Sequence, residues 1–115
     1  MAVNKPTMLW DGDCAFCFRW IQRWKKATGD AVAYRPYQEA LDDFPQVLEE
    51  DCKQAVQLVM EDGNVLRAAH AVLQSLAIGG RLKWMLRLYE RSRSFQWFAE
   101  SAYRFVAKNR SWLPR

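Results

Sequence analysis

Apolar positions along this chain switch between two periods, and the switches mark its elements. Thr7-Met-Leu-Trp10 is a short apolar run that stops at Asp11-Gly12-Asp13, which predicts a buried strand entering a turn. From Ala15 onward Cys17, Ile21, Trp24 and Thr28 recur at helical spacing, with Arg19, Arg23 and Lys26 between them and Gly29 as the stop. Ala31-Val-Ala-Tyr34 reads as a second brief strand. It is expected to end before Pro36, because proline disfavours helix for Arg35 and has no N–H to give a sheet.

The segment from Ala40 to Glu49 is short, acidic and moderately helical, with Pro45 interrupting it. A hairpin follows: Ala55 to Met60 as one strand, Glu61-Asp62-Gly63-Asn64 as the turn, and Val65-Leu66 opening the partner. The Asp-Gly pair favours a turn whose central positions need positive φ. Beyond Arg67 the pattern is helical. Ala69, Val72, Leu73, Leu76 and Ala77 form a stripe closed by Gly79-Gly80, and two further helices are expected over Leu82 to Tyr89 and Phe95 to Lys108, broken near Arg91-Ser-Arg-Ser94. Phe98, Ala102, Phe105 and Val106 carry the spacing of a core-facing stripe. The order β-α-β-α-β-β-α predicts an α/β fold, a mixed four-stranded sheet flanked by helices, with additional C-terminal helices.

At 115 residues one hydrophobic core is expected. Residues 1–115 then form one domain, with a core over about 5–80 and a helical extension over about 81–115. Half the residues are apolar and 26% are charged, which excludes a disordered or collagen-like chain. The net charge of +4 is unevenly placed: nine Lys/Arg stand against Glu90 and Glu100 from Arg81 to Arg115, whereas residues 1–80 carry eight against eleven. A tail basic by seven invites an anionic partner, and Trp84, Tyr89, Phe95, Trp97, Phe98, Tyr103, Phe105 and Trp112 lie among its cations. A non-enzymatic binding module built on these basic aromatic helices is therefore one alternative reading.

Met1-Ala-Val-Asn-Lys-Pro leaves no room for the apolar core of a secretory signal before Trp10-Asp11. The longest uncharged run, Ala68 to Gly80, is 13 residues, short of the roughly 20 that span a bilayer. A soluble, cytoplasmic monomer without a transmembrane segment is expected. Where thiols are kept reduced, three cysteines are more often catalytic or metal-bound than crosslinks.

Cys14-Ala15-Phe16-Cys17 falls where the first strand hands over to the first helix. A cysteine at a helix start meets unpaired backbone N–H groups and the positive end of the helix dipole, which stabilise thiolate over thiol. Cys17, three residues on, shares that side of the helix and lies within bonding reach. Cys14 is then the nucleophile that forms a mixed disulfide, and Cys17 resolves it. Such a dithiol needs no bound cofactor, only an external reductant such as glutathione or a thioredoxin system, and a disulfide-containing protein or small thiol as substrate. Asp11 and Asp13 oppose a thiolate by charge, relay a proton, or build the turn and cap the helix, the last being the commoner use of Asp there.

A Cys₃His zinc-stabilised domain is the other alternative, drawn from Cys14, Cys17, Cys52 and His70. Against it, no second short-spaced pair stands beside Cys52 and His70. Cys52 otherwise reads as a core or surface thiol before the third strand, whose start is expected to approach Cys14, and His70 as a packed or solvent-facing side chain.

Trp10-Asp11-Gly12-Asp13-Cys14-Ala15-Phe16-Cys17 resembles the DxxCxxC signature of the DCC family of thiol-disulfide oxidoreductases, with Asp11, Cys14 and Cys17 matching position by position. Tyr34-Arg35-Pro36-Tyr37-Gln38 resembles that family's aromatic-x-Pro-x-Gln element, and Tyr103 to Arg110 its closing helix. The resemblance implies a thioredoxin-like fold and disulfide reductase activity at Cys14 and Cys17, with Asp11, Asp13 and Pro36 in electrostatic or positioning roles. Ordinary thioredoxins place a proline immediately before the third strand; here none precedes Ala55-Val56.

Overall fold

A computed structural model describes residues 5–109. Four strands, β1 (Thr7–Trp10), β2 (Ala33–Pro36), β3 (Gln57–Val59) and β4 (Val65–Arg67), form one sheet in the order β2-β1-β3-β4. Six helices accompany them: α1 (Ala15–Thr28), α2 (Tyr37–Ala40), α3 (Glu49–Gln54), α4 (Ala68–Ile78), α5 (Lys83–Arg91) and α6 (Arg93–Asn109). β1 runs parallel to β2, with Trp10 opposite Pro36, and antiparallel to β3, with Met8 opposite Leu58. β3 and β4 are antiparallel. This is the thioredoxin-like α/β arrangement expected from the order of elements.

Every residue of β1 is buried, because this strand lies inside the sheet with a core on each face. Met8 and Trp10 join Ile21, Val32, Val56, Leu58 and Ala71 on the face covered by α1 and α4. Leu9 joins Tyr37, Ala40, Phe44, Val47, Cys52 and Val59 on the other. A strand covered on both faces needs a continuous apolar run rather than alternation, which is why Thr7-Met-Leu-Trp10 is legible in the sequence.

The second strand is displaced from its expected position: it starts at Ala33 and runs through Pro36. Proline is tolerated because β2 is an edge strand, where a missing N–H breaks no ladder. The acidic stretch also differs. α2 with a following 3₁₀ turn at Leu41–Asp43 precedes Pro45, and α3, which carries Cys52, follows it. In the hairpin only Gly63 takes positive φ, at 92°, and Asp62 does not. Gly63 N–H bonds Met60 O at 3.0 Å and Met60 N–H bonds Asn64 O at 2.8 Å. A three-residue loop closing on a left-handed glycine replaces the two-residue turn.

α4 is buried more completely than its expected stripe. Ala71 and Ser75 are wholly inaccessible, and Val72, Leu76 and Ala77 are half-buried, because α4 is covered by α1 and the sheet on one side and by α5 and α6 on the other. The Ser75 hydroxyl is satisfied locally by Val72 O at 2.8 Å. In α6 the expected core stripe is overturned: Phe98 is 63%, Phe105 65% and Val106 39% exposed. The side chains that tie α6 down are polar. Tyr103 Oη accepts the Val56 N–H at 2.9 Å, and Glu100 Oε1 accepts the Ala69 N–H at 2.8 Å near the start of α4. Tyr89 Oη, on α5, donates to Glu100 Oε2 at 3.1 Å. Trp112 and Arg110 lie outside the described residues.

Candidate functional site

The strand-to-helix junction is built by backbone geometry first. Cys14 is extended, at φ −103° and ψ 114°, and is the N-cap of α1. Its Sγ accepts the Cys17 N–H at 3.2 Å, occupying the place where a Ser or Asp oxygen ordinarily receives the third helical amide. The first turn of α1 carries no acidic residue, so the N–H groups and dipole of a 14-residue helix act on that sulfur without a local carboxylate on the helix itself. Cys14 and Cys17 are both half-buried, whereas Cys52 is buried. Cys17 also packs against the core cluster of β1 and α1. One sulfur therefore faces aligned amide donors while its neighbour one turn on sits against apolar side chains.

Asp11 shapes the turn ahead of the helix. Its main-chain O accepts the Cys14 N–H at 3.2 Å, and its Oδ1 accepts the Asp13 N–H at 2.9 Å. Asp13 does not cap the helix, since the capping acceptor is the Cys14 sulfur; its Oδ2 is instead 3.3 Å from Gln38 Nε2. Gln38 is a residue whose part sequence reasoning missed. Its Oε1 accepts the Gly12 N–H at 3.0 Å, while its Nε2 donates to Asp11 Oδ1 at 2.9 Å as well as to Asp13. A carboxamide suits this position because it offers an acceptor and donors together. Its only sequence signal was the aromatic-x-Pro-x-Gln element.

Pro36 acts by packing. A Cβ on Gly12 would lie 3.0 Å from Pro36 Cβ and 3.1 Å from Gln38 Oε1, so any side chain there would crowd the end of β2. Tyr37, the next residue, is 5% exposed. Burial raises its phenol above the usual 10.0, with the charges of Asp11, Glu49 and Asp13 adding to the effect, and it stays protonated beneath the turn.

The remaining candidates are not gathered there. Cys52 lies in the core cluster across the sheet, with Leu9 and Tyr37, apart from the cluster against which Cys17 packs. Burial, followed by the charges of Asp51 and Glu49, pushes its thiol up to about 11. His70 stacks on Tyr89 with ring centroids 4.8 Å apart. The four residues of the Cys₃His reading are thus divided between two faces of the sheet. Among the described residues no group of three or more His, Cys, Asp or Glu is placed to hold a metal ion, and no helix is long and apolar enough to cross a membrane.

At the start of β3, where no proline stands, the Val56 N–H is taken by Tyr103 Oη from α6. The sheet places this residue at the same end as the cysteine pair, because Gln57 pairs with Leu9. The tail helices therefore reach the edge of the site, a contact that no local pattern in the sequence announces.

A family model described as DCC1-like thiol-disulfide oxidoreductase matches residues 8–115 of the chain. No curated protein and no solved structure matches it.

Proposed function

The chain belongs to the DCC1-like thiol-disulfide oxidoreductase family, and on that premise we propose that Cys14 and Cys17 are its exchanging pair, Cys14 as the nucleophile and Cys17 as the resolving thiol. One observation carries this reading: the Cys14 sulfur caps α1 and accepts the Cys17 N–H at 3.2 Å. Amide donors at a helix start favour the sulfur anion, the form that attacks disulfides.

The cycle balances as a two-electron exchange. The Cys14 thiolate attacks one sulfur of a substrate disulfide, that S–S bond breaks, and half of the substrate leaves as a thiolate that takes a proton from solvent. Cys17 gives up its proton and attacks the Cys14 sulfur of the mixed disulfide. The second half then leaves as a thiol, and the Cys14–Cys17 bond closes. The substrate is reduced and the pair oxidised, with no bound cofactor in the cycle. A dithiol of a thioredoxin system, or two equivalents of glutathione, returns the pair to its starting state. Reduction is the favoured direction in a cytoplasm, where this reading places the chain, and the substrate is a disulfide-bearing protein or small thiol compound. Asp11, Asp13, Pro36 and Gln38 act as positioning residues that hold the turn.

Thiol-labelling mass spectrometry across a series of redox buffers tests the assignment. One reversible Cys14–Cys17 couple is expected, absent from Cys14→Ser. Species linked mainly through Cys52, or no equilibrium at all, would refute it.

A second reading is favoured by the outer face of α5. Trp84, Arg87, Leu88 and Arg91 stand at positions i, i+3, i+4 and i+7 and are exposed, a basic apolar face suited to an anionic partner. Salt-sensitive binding of an anionic ligand that persists in Cys14→Ser is the outcome that supports it; no such binding removes it.

A further inference from the structure

α1 and α6 do not close on one another. Between them, over α4, lies a groove of about 390 Å³, and Cys17 is one of its lining residues. Phe16, Trp20 and Trp24 form one wall, with Phe16 and Trp20 rings 6.0 Å apart and Trp20 and Trp24 rings 6.3 Å apart. Phe98, Ala102 and Val106 form the other. Among the described residues no charged side chain lines the groove. It thus falls in the size range of sites that enclose small ligands, yet offers almost nothing polar to orient one.

We propose that this groove is a specificity subsite that receives the bulky apolar group flanking the disulfide of a peptide or protein substrate. The proposal rests on the reading of Cys14 and Cys17 as the exchanging pair. A disulfide attacked by Cys14 and resolved by Cys17 must lie beside the helical turn between them, so the residue next to it falls against the wall that carries Cys17. An apolar group there loses contact with water and gains the aromatic wall. A charged one, such as the carboxylates of oxidised glutathione, loses hydration without a partner. This wall also explains why Phe98 and Val106 remain exposed although their helical spacing is that of a core stripe: their packing partner is the substrate. The exchange itself is unchanged. The pair gives two electrons to the bound disulfide, both halves leave as thiols, and the Cys14–Cys17 bond remains.

The test is a single turnover of the full chain, reduced and freed of reductant, against two symmetric cystine peptides of equal charge. One carries Leu and Phe beside the cysteine, the other Ser and Gly. The apolar disulfide is expected to react about 10-fold faster or more, the increment for burying one large aliphatic or aromatic side chain. In Ala102→Trp, which fills the groove from an exposed position of α6, and in Phe98→Ala, which removes part of its wall, the ratio is expected to fall toward one. Equal rates in the unmodified chain overturn the proposal, as does a ratio that neither substitution moves. A dimer that Ala102→Trp dissolves in light scattering assigns the groove to a second copy and also overturns it. Failure to reduce either peptide has a different meaning: the redox reading itself then falls, and this subsite with it.

Discussion

Alkylation at raised pH reads the burial of Cys52. Cys52 is 2% exposed, and burial, reinforced by Asp51 and Glu49, moves its thiol from 9.0 to about 11. At pH 8 that shift alone leaves roughly a hundredfold less thiolate than an unperturbed thiol holds. Alkylation of the native chain with iodoacetamide at pH 8, followed by peptide mapping, is therefore expected to modify the half-buried Cys14 and Cys17 well before Cys52, which reacts promptly only in urea. The same shift has a stability consequence. The folded state holds the proton more tightly than the unfolded chain, so its contribution is complete below pH 9 and is lost as the pH rises through about 11. A shift of that size corresponds to roughly 2–3 kcal/mol. Tyr89, pushed up to about 12 by burial and by Glu100, adds a similar slope that begins one unit higher. Comparing urea unfolding of the natural chain with that of Cys52→Ala from pH 8 to 10.5 isolates the cysteine, and a steeper loss in the natural chain is expected. Rapid labelling of Cys52 in the folded chain at pH 8, or parallel stability curves for the two proteins, would show that the reasoning from burial is wrong.

Two further substitutions probe the supports of the site. Tyr103→Phe deletes only the hydroxyl that accepts the Val56 N–H, and leaving a buried amide unpaired is expected to cost about 1–3 kcal/mol, read as a drop of roughly 4–12 °C in Tm; an unchanged Tm would mean that α6 does not serve this amide. Gln38→Ala removes three hydrogen bonds from the turn and is expected to cost about 1 kcal/mol, with faster hydrogen exchange at Gly12 as its local signature. Unaltered Gly12 exchange would dismiss Gln38 as the clamp.

Much of the architecture was readable locally because each signal arises within a few residues. The apolar run at β1, the helix that begins at Ala15, and Gly63 closing the hairpin each follow from short-range sterics and burial. The cysteine pair was legible for the same reason: a helix start fixes the direction of its own amides, so placing Cys14 there places donors on its sulfur. Pro36 misled because the penalty for proline depends on which strand is at the edge, a property of the assembled sheet.

The sequence by itself determined the order of elements, the position of Cys14 and Cys17 at the first helix, and the membership of the family through its DxxCxxC spacing. Tertiary structure alone decided which faces meet. It sent Cys52 across the sheet from the pair, brought Gln38 back over the turn, and held α6 by Tyr103 and Glu100 instead of its aromatic stripe. Helical periodicity reveals that a face is apolar but not what will cover it. That depends on contacts between residues far apart in the chain, and here those contacts left an open apolar groove beside Cys17.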